Sequence, residues 1–198
     1  MNAQEKIELR NGDALIIVDV QNDFLPGGAL AVPHGDEVIP KLNRYIELFH
    51  ARQLPVVATR DWHPQNHCSF KAHGGIWPSH CVAETHGAAF AKDLKLPPTT
   101  WTISKAVTHD NESYSGFGNA ELAGKLRDKK VRRVFIGGLA TDYCVLNTVL
   151  DARKNGFDVF LLRDASRAVN IKPDDGTKAE TEMSRSGAVP MDLETIVL

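Results

Sequence analysis

The sequence predicts an α/β protein: a three-layer α/β/α sandwich on a mostly parallel sheet of about six strands. Three observations predict it. Short, almost continuously apolar runs recur along the chain, as strands covered on both faces require. Amphipathic helical patterns fall between them, the alternation of βαβ units. Polar, chemically capable residues stand at the ends of the runs, where open parallel sheets bind ligands. The 198 residues suffice for one domain with a sizeable core. With no repeat, low-complexity tract or linker, the whole of 1–198 reads as that domain.

The first run is ALIIVDV at 14–20. A helix over 36–52 follows, because Val38, Leu42, Tyr45, Ile46 and Phe49 recur at three- and four-residue spacing. LPVVATRD (54–61) and TTWTISKA (99–106) are the second and third runs. Residues 119–130 carry Leu122 and Leu126 on one helical face. VRRVFIGGL (131–139) leads into a helix over 142–154, with Val145, Thr148, Val149 and Ala152 on one side and Gly156 where a C-cap belongs. DVFLLRDAS (158–166) and the closing ETIVL (194–198) complete the strands. The stretch 62–98 breaks this rhythm, being rich in His, Pro, Gly and Trp without periodicity. Such an irregular segment inside a compact domain is uncommon unless it is functional.

The 23 basic and 25 acidic side chains nearly cancel, so the basic excess of a nucleic-acid binder is lacking. No apolar run approaches the roughly 18 residues of a membrane span. The opening MNAQEKIELRNGD is too polar for the apolar part of a secretory signal. Three cysteines without a Cys-x-x-Cys pair make no disulfide framework. A cytoplasmic, thiol-reducing location is therefore expected. The expected partner is a small molecule, with no nucleic acid and no membrane; a homo-oligomer stays open.

The segment IGGLATDYCVLNTVL (136–150) reads as strand, tight turn, helix. Gly137 and Gly138 supply freedom for the turn, and Thr141 or Asp142 can cap the helix. Cys144 then sits in the first helical turn, where unpaired N–H groups and the dipole favour a thiolate. The same N–H groups can bind an oxyanion. The alternative is a buried structural cysteine. Asp19 and Lys105 end strands that a parallel sheet brings to the same rim. Alone, each reads as a turn residue or a solvent-facing side chain. Together they can take the thiol proton and offset the charges around it.

In DWHPQNHCSF (61–70), Asp61 and His63 lie two apart and face one side of an extended chain. His80, from IWPSHC (76–81), completes two imidazoles and one carboxylate. Three protein ligands leave positions open, as in catalytic zinc sites; Zn is expected first, and Fe(II) or Mn(II) tolerate the same set. His67 and Ser69 are candidates for a fourth ligand or for partners of the ligands. A structural zinc site using Cys68 and Cys81 is the alternative, although the C-x12-C spacing matches no standard finger. His34, His50, His73, His86 and His109 read as polar loop residues.

These motifs resemble nicotinamidases, within the isochorismatase-like cysteine hydrolase superfamily. The resemblance spans essentially the whole chain. It rests on IIVDVQNDFLPGGAL (16–30), DWHPQNHCSF (61–70), WPSHC (77–81), Lys105 with YSGF (114–117), and GLATDYCV (138–145). It implies an isochorismatase-like, Rossmann-like form of the sandwich. It implies a catalytic triad of Asp19, Lys105 and Cys144, and one divalent metal on Asp61, His63 and His80. It implies a cis peptide between Leu139 and Ala140, turning the Ala140 and Cys144 N–H groups toward an oxyanion. Phe24, Leu30, Trp77 and Tyr114 match positions that wall the substrate ring; Tyr143 joins them at a position that varies among relatives, as does the fourth metal position near His67. The implied reaction is hydrolysis of a linear amide: nicotinamide and water give nicotinate and ammonia through a thioester, with pyrazinamide also accepted and NAD salvage as the setting. Two rivals stay open, a cysteine amidase of N-carbamoyl or ureido compounds and a hydrolase whose metal-bound water attacks. A metal-dependent binding module is the non-enzymatic reading.

Overall fold

The computed structural model describes residues 6–118 and 120–197. The first five residues of the polar opening, Asn119 in the expected second helix and Leu198 in the last expected strand lie outside the described residues. The strands are β1 (Ile7–Glu8), β2 (Asp13–Val18), β3 (Val56–Asp61), β4 (Trp101–Lys105), β5 (Arg133–Leu139), β6 (Asp158–Arg167), β7 (Val189–Met191) and β8 (Ile196–Val197). The helices are α1 (Val38–Ala51), α2 (Ala120–Asp128), α3 (Leu146–Lys154) and α4 (Asp175–Arg185). Among the described residues, no helix is long and apolar enough to cross a membrane.

The main sheet runs β4-β3-β2-β5-β6-β7, and every pairing in it is parallel. All six residues of β2 are buried, because the strand is covered on both faces. Its side chains alternate between two cores. Leu15 and Ile17 pack with Leu42, Tyr45 and Phe49 of α1, whereas Ala14, Ile16 and Val18 join Leu122, Val149 and Met183 from α2, α3 and α4. These two cores on opposite faces make the three layers. Each large aliphatic side chain so buried contributes about 1.5–3 kcal/mol. At the start of β2, the buried Asp13 carboxylate accepts two bonds from the Arg133 guanidinium, at 2.6 and 2.7 Å, and fixes the register against β5.

Two expectations about elements need correction. ETIVL does not supply the sixth strand of the main sheet: Ile196–Val197 pairs with Ile7–Glu8 in a separate two-stranded ladder, and Val189–Met191 takes the sheet edge. Gly137 and Gly138 do not form a turn; both lie within β5. Gly138, at φ +128, lies so close to β2 that a Cβ there would meet the Val18 carbonyl oxygen at 2.1 Å. Close strand approach, rather than turning, is what requires glycine there. Gly156 does follow α3 at φ +86, the left-handed position past a helix end.

The winding reverses at β2, with β3 and β4 on one side and β5, β6 and β7 on the other. The crevice at such a switch point lies outside the carboxyl ends of the strands. Asp19, Asp61, Lys105 and the 140–144 turn all leave the sheet on that rim. The irregular stretch is pinned over it by isolated bridges, Gln21 to Phe90, His63 to Val82 and Phe70 to Trp77.

Candidate active site

Asp19 follows β2 at φ 50, a left-handed conformation that swings its carboxylate off the strand axis and into the rim. It is fully buried. The Thr59 hydroxyl donates to Asp19 Oδ1 at 2.7 Å. Lys105 Nζ lies 2.9 Å from Oδ2 in a buried ion pair. Lys105 also donates to Asp61 Oδ1, to the Ser113 carbonyl at 3.3 Å and toward Cys144 Sγ at 3.4 Å. Asp19, Asp61 and Cys144 offer atoms that all lie within 4.8 Å of one another. The structure therefore brings together Asp19 and Lys105 from two strand ends and Cys144 from the turn after β5.

Cys144 lies in a single π-turn, Thr141–Val145, between β5 and α3; such wide turns recur at functional sites. The Ala140 carbonyl accepts the N–H groups of Tyr143 and Val145, both at 3.1 Å. The Leu139–Ala140 peptide is cis. Neither Thr141 nor Asp142 caps the helix by its side chain. Asp142 instead accepts the Val169 and Asn170 N–H groups, at 2.9 and 2.8 Å, and ties the 169–170 loop to the nucleophile turn.

The surroundings of Cys144 work against the thiolate expected from the turn alone. Burial pushes the Cys144 thiol well up; Lys105 pulls it back, but Asp19 and Asp61 push it further. Burial also raises Asp19, which Lys105 lowers and Asp61 raises. Burial works against the charge on Asp61 as well, yet Lys105 and His63 outweigh it and hold this carboxyl below the usual range. Lys105 keeps its proton against burial because Asp19, Asp61 and Cys144 surround it. The Lys105 ammonium thus lies between the Asp19 and Asp61 carboxyl groups and beside the Cys144 sulfur.

The second cluster is a cation site by the chemistry of its donors. His63 Nδ1 pairs with the Ala106 carbonyl at 3.2 Å, leaving Nε2 buried without a partner and 3.6 Å from Asp61 Oδ2. His80 Nδ1 pairs with the Pro78 carbonyl at 2.8 Å, which directs Nε2 the other way. Such carbonyl partners fix the tautomer of ligating imidazoles. Asp61, His63 and His80 offer atoms within 4.8 Å of one another. Two buried carboxylates against one buried ammonium leave excess negative charge in a dry site, which a cation would offset. The residues fit a divalent metal.

His67 is differently engaged. Its Nδ1 meets Ser69 Oγ at 2.7 Å and its Nε2 the Asn111 carbonyl at 3.3 Å, while its ring packs on His63 with centroids 4.2 Å apart. Both nitrogens are occupied, so His67 and Ser69 buttress the His63 ring. Among the described residues Cys68 and Cys81 join no ligand cluster.

Between the two clusters opens a narrow cleft. Phe24, Leu30, Trp77, Tyr114 and Tyr143 line it, with Asp61, His80 and Cys144 on its floor. Trp77 Nε1–H donates to the Tyr114 hydroxyl at 3.0 Å, and Tyr143 meets Trp77 edge-on at 5.0 Å. Val32 and Val169 also line the cavity; an isolated valine carries no sequence signal.

Residues 13–195 match the isochorismatase domain family. The chain is similar to the nicotinamidase of Escherichia coli, 39% identical over 196 residues that cover 88% of this chain and 92% of that one. In structure it is similar to the pyrazinamidase of Pyrococcus horikoshii solved in complex with zinc, at 51% identity and a TM-score of 0.88 over 92% of this chain and 99% of that one. It is also similar to a protein from L. infantum solved in complex with nicotinate, at 39% identity and a TM-score of 0.90 over 97% and 98% of the two chains.

Proposed function

The chain belongs to the isochorismatase domain family, and from that premise we propose that it hydrolyses nicotinamide to nicotinate and ammonia, with pyrazinamide a second substrate. One observation carries the reading: the Cys144 thiol, backed by the buried Lys105 ammonium and Asp19 carboxyl, opens on an aromatic cleft with Asp61 and His80 of a three-ligand cation site.

Asp61, His63 and His80 would hold the metal, zinc by preference, with Fe(II) and Mn(II) compatible. When bound, it would supply Lewis acidity beside the substrate ring, withdrawing electron density from the carboxamide. The chain's own residues do the rest. Phe24, Leu30, Trp77, Tyr114 and Tyr143 enclose the ring and exclude water. Asp19 takes the thiol proton as Cys144 Sγ bonds to the carboxamide carbon, and Lys105 holds the negative charge that gathers there. The Ala140 and Cys144 N–H groups receive the oxyanion. Asp19 returns the proton to the amide nitrogen, the C–N bond breaks and ammonia leaves. A water attacks the thioester, giving one proton to Asp19; the C–S bond breaks, Sγ regains that proton, and nicotinic acid departs, losing its carboxyl proton to solvent to become nicotinate. Three free cysteines suit the reducing cytoplasm in which such a thiol stays active.

The test is ammonia release from nicotinamide by the wild type and Cys144→Ala, with N-carbamoyl compounds run in parallel. The expected result is turnover of nicotinamide alone, and loss of about 10⁴-fold or more in the variant. Near-normal turnover by Cys144→Ala would overturn the cysteine mechanism in favour of a metal-bound water.

A further inference from the structure

We propose that Gln21 is a positioning residue of the metal centre: its side-chain amide sets where the Asp61 carboxylate stands, and thereby how tightly the site holds a divalent cation. The inference rests on the reading of Asp61, His63 and His80 as metal ligands.

It starts from an unequal pair of strands. β2 ends at Val18, opposite Thr59 of β3. The Asp19 N–H still reaches the Thr59 carbonyl at 3.2 Å, but at φ 50 the chain then turns out of the ladder. β3 continues to Asp61, paired through its other edge with Lys105 of β4. The departing strand leaves the inner edge of Asp61 with a buried N–H and C=O, and buried backbone groups must be paired.

The Gln21 carboxamide replaces the missing strand. Gln21 Oε1 accepts the Asp61 N–H at 2.8 Å, and Gln21 Nε2 donates to the Asp61 carbonyl at 2.8 Å. Its remaining amide hydrogen goes to the Ala88 carbonyl at 2.9 Å. A primary amide has the donor and acceptor of a peptide group, so it can close a ladder that the backbone has abandoned. The side chain is fully buried. Its own backbone is held by the bond from Gln21 N–H to the Asp19 carbonyl at 2.9 Å and by the bridge to Phe90.

The consequence falls on one carboxylate. Asp61 Oδ1 serves Lys105 and Oδ2 faces His63, so a small movement of this residue misaligns the cation site and the ammonium together. Holding both its N–H and its C=O removes that freedom. Partners that orient metal ligands are typically worth 10–100-fold in metal affinity.

The test measures zinc affinity by competition with a chromophoric chelator, alongside thermal unfolding and the KM and kcat for nicotinamide. Gln21→Met keeps the length of the side chain and removes its hydrogen bonds. The expected result is a folded variant that binds zinc about 10–100-fold more weakly, with KM raised more than kcat is lowered. Gln21→Glu, which still accepts the Asp61 N–H, should recover part of the affinity. Zinc affinity within twofold of wild type in folded Gln21→Met overturns the proposal. If Gln21→Met does not fold, Gln21→Leu, which also lacks the amide, carries the comparison by the same criterion; failure of both to fold also overturns it, because the residue would then hold the fold and not the ligand. A wild type that binds no zinc refutes the metal reading itself, a different result from equal binding by wild type and variant.

Discussion

Replacing Lys105 with methionine keeps most of the stem and removes only the ammonium. In the structure that group is buried and sits 2.9 Å from Asp19 Oδ2, with Asp61 Oδ1 on its other side. At an effective dielectric of about 20, the Asp19 contact alone is a gross attraction of roughly 6 kcal/mol. Most of this is offset by desolvation, and removing one partner of a buried ion pair typically costs about 3–5 kcal/mol. Because two carboxylates lose the same partner, the upper end is expected. For a chain of this size that corresponds to a fall in Tm of roughly 10–20 °C.

The loss should depend on pH. Lys105 is what most lowers Asp19, whose carboxyl burial has already raised; without it the folded-state pKa rises further above the unfolded one. A carboxyl raised in this way stabilises the fold while it keeps its proton, fully below the unfolded pKa, and loses that contribution as pH rises through the folded value. The deficit of the variant is therefore small in acid and large above neutrality. The assay is urea unfolding of wild type and Lys105→Met between pH 5 and 8, in excess chelator so that bound metal does not mask the charges. Turnover should fall by about 10³-fold or more. A deficit under about 1 kcal/mol, the size of a surface pair, or one that does not change with pH, would refute the charge argument.

Three further outcomes follow from the geometry. Excess chelator should abolish ammonia release and added zinc restore it, whereas His63→Ala, which removes the unpaired Nε2, should lose stoichiometric zinc by elemental analysis while staying folded. Gly138→Ala must place a Cβ 2.1 Å from the Val18 carbonyl oxygen at φ +128; a loss of about 2–4 kcal/mol in urea unfolding is expected, with reduced turnover because β2 carries Asp19.

Much of this arrangement is legible in the sequence, for identifiable reasons. The runs at 14–20, 54–61 and 131–139 are apolar on both faces, so strand, burial and parallel pairing come from one signal. Asp61 and His63 share a local spacing that implies convergence. What escapes detection is non-local or weakly patterned. α4 buries only Gly176, Ala179 and Met183, too few for an apolar stripe, and β7 is three residues with a central proline. Gly138 looks like part of a turn because the approach of Val18 that demands it lies 120 residues away, and Gly137 because it lies against Leu162 and Ala165 of β6. Asp142 looks like a cap, but its amide partners are Val169 and Asn170. What opposes the thiolate is equally hidden, because a helix start is a local effect, whereas burial and two carboxyl groups from other strands are not. Gln21 acts on Asp61 through backbone groups 40 residues on, and no spacing rule reports such a contact.

The strand order has a temporal consequence. β2 closes on β3 over a span of about 40 residues, but on β5 only after some 120, as the Asp13–Arg133 pair measures. Closing so long a loop is entropically costly and slows folding. Asp19, Asp61 and Lys105 can meet once the first half of the sheet forms, whereas Cys144 arrives only with the second. Recovery of ammonia release during refolding should therefore lag the return of secondary structure, and make turnover a clock for the last strand pairing to form.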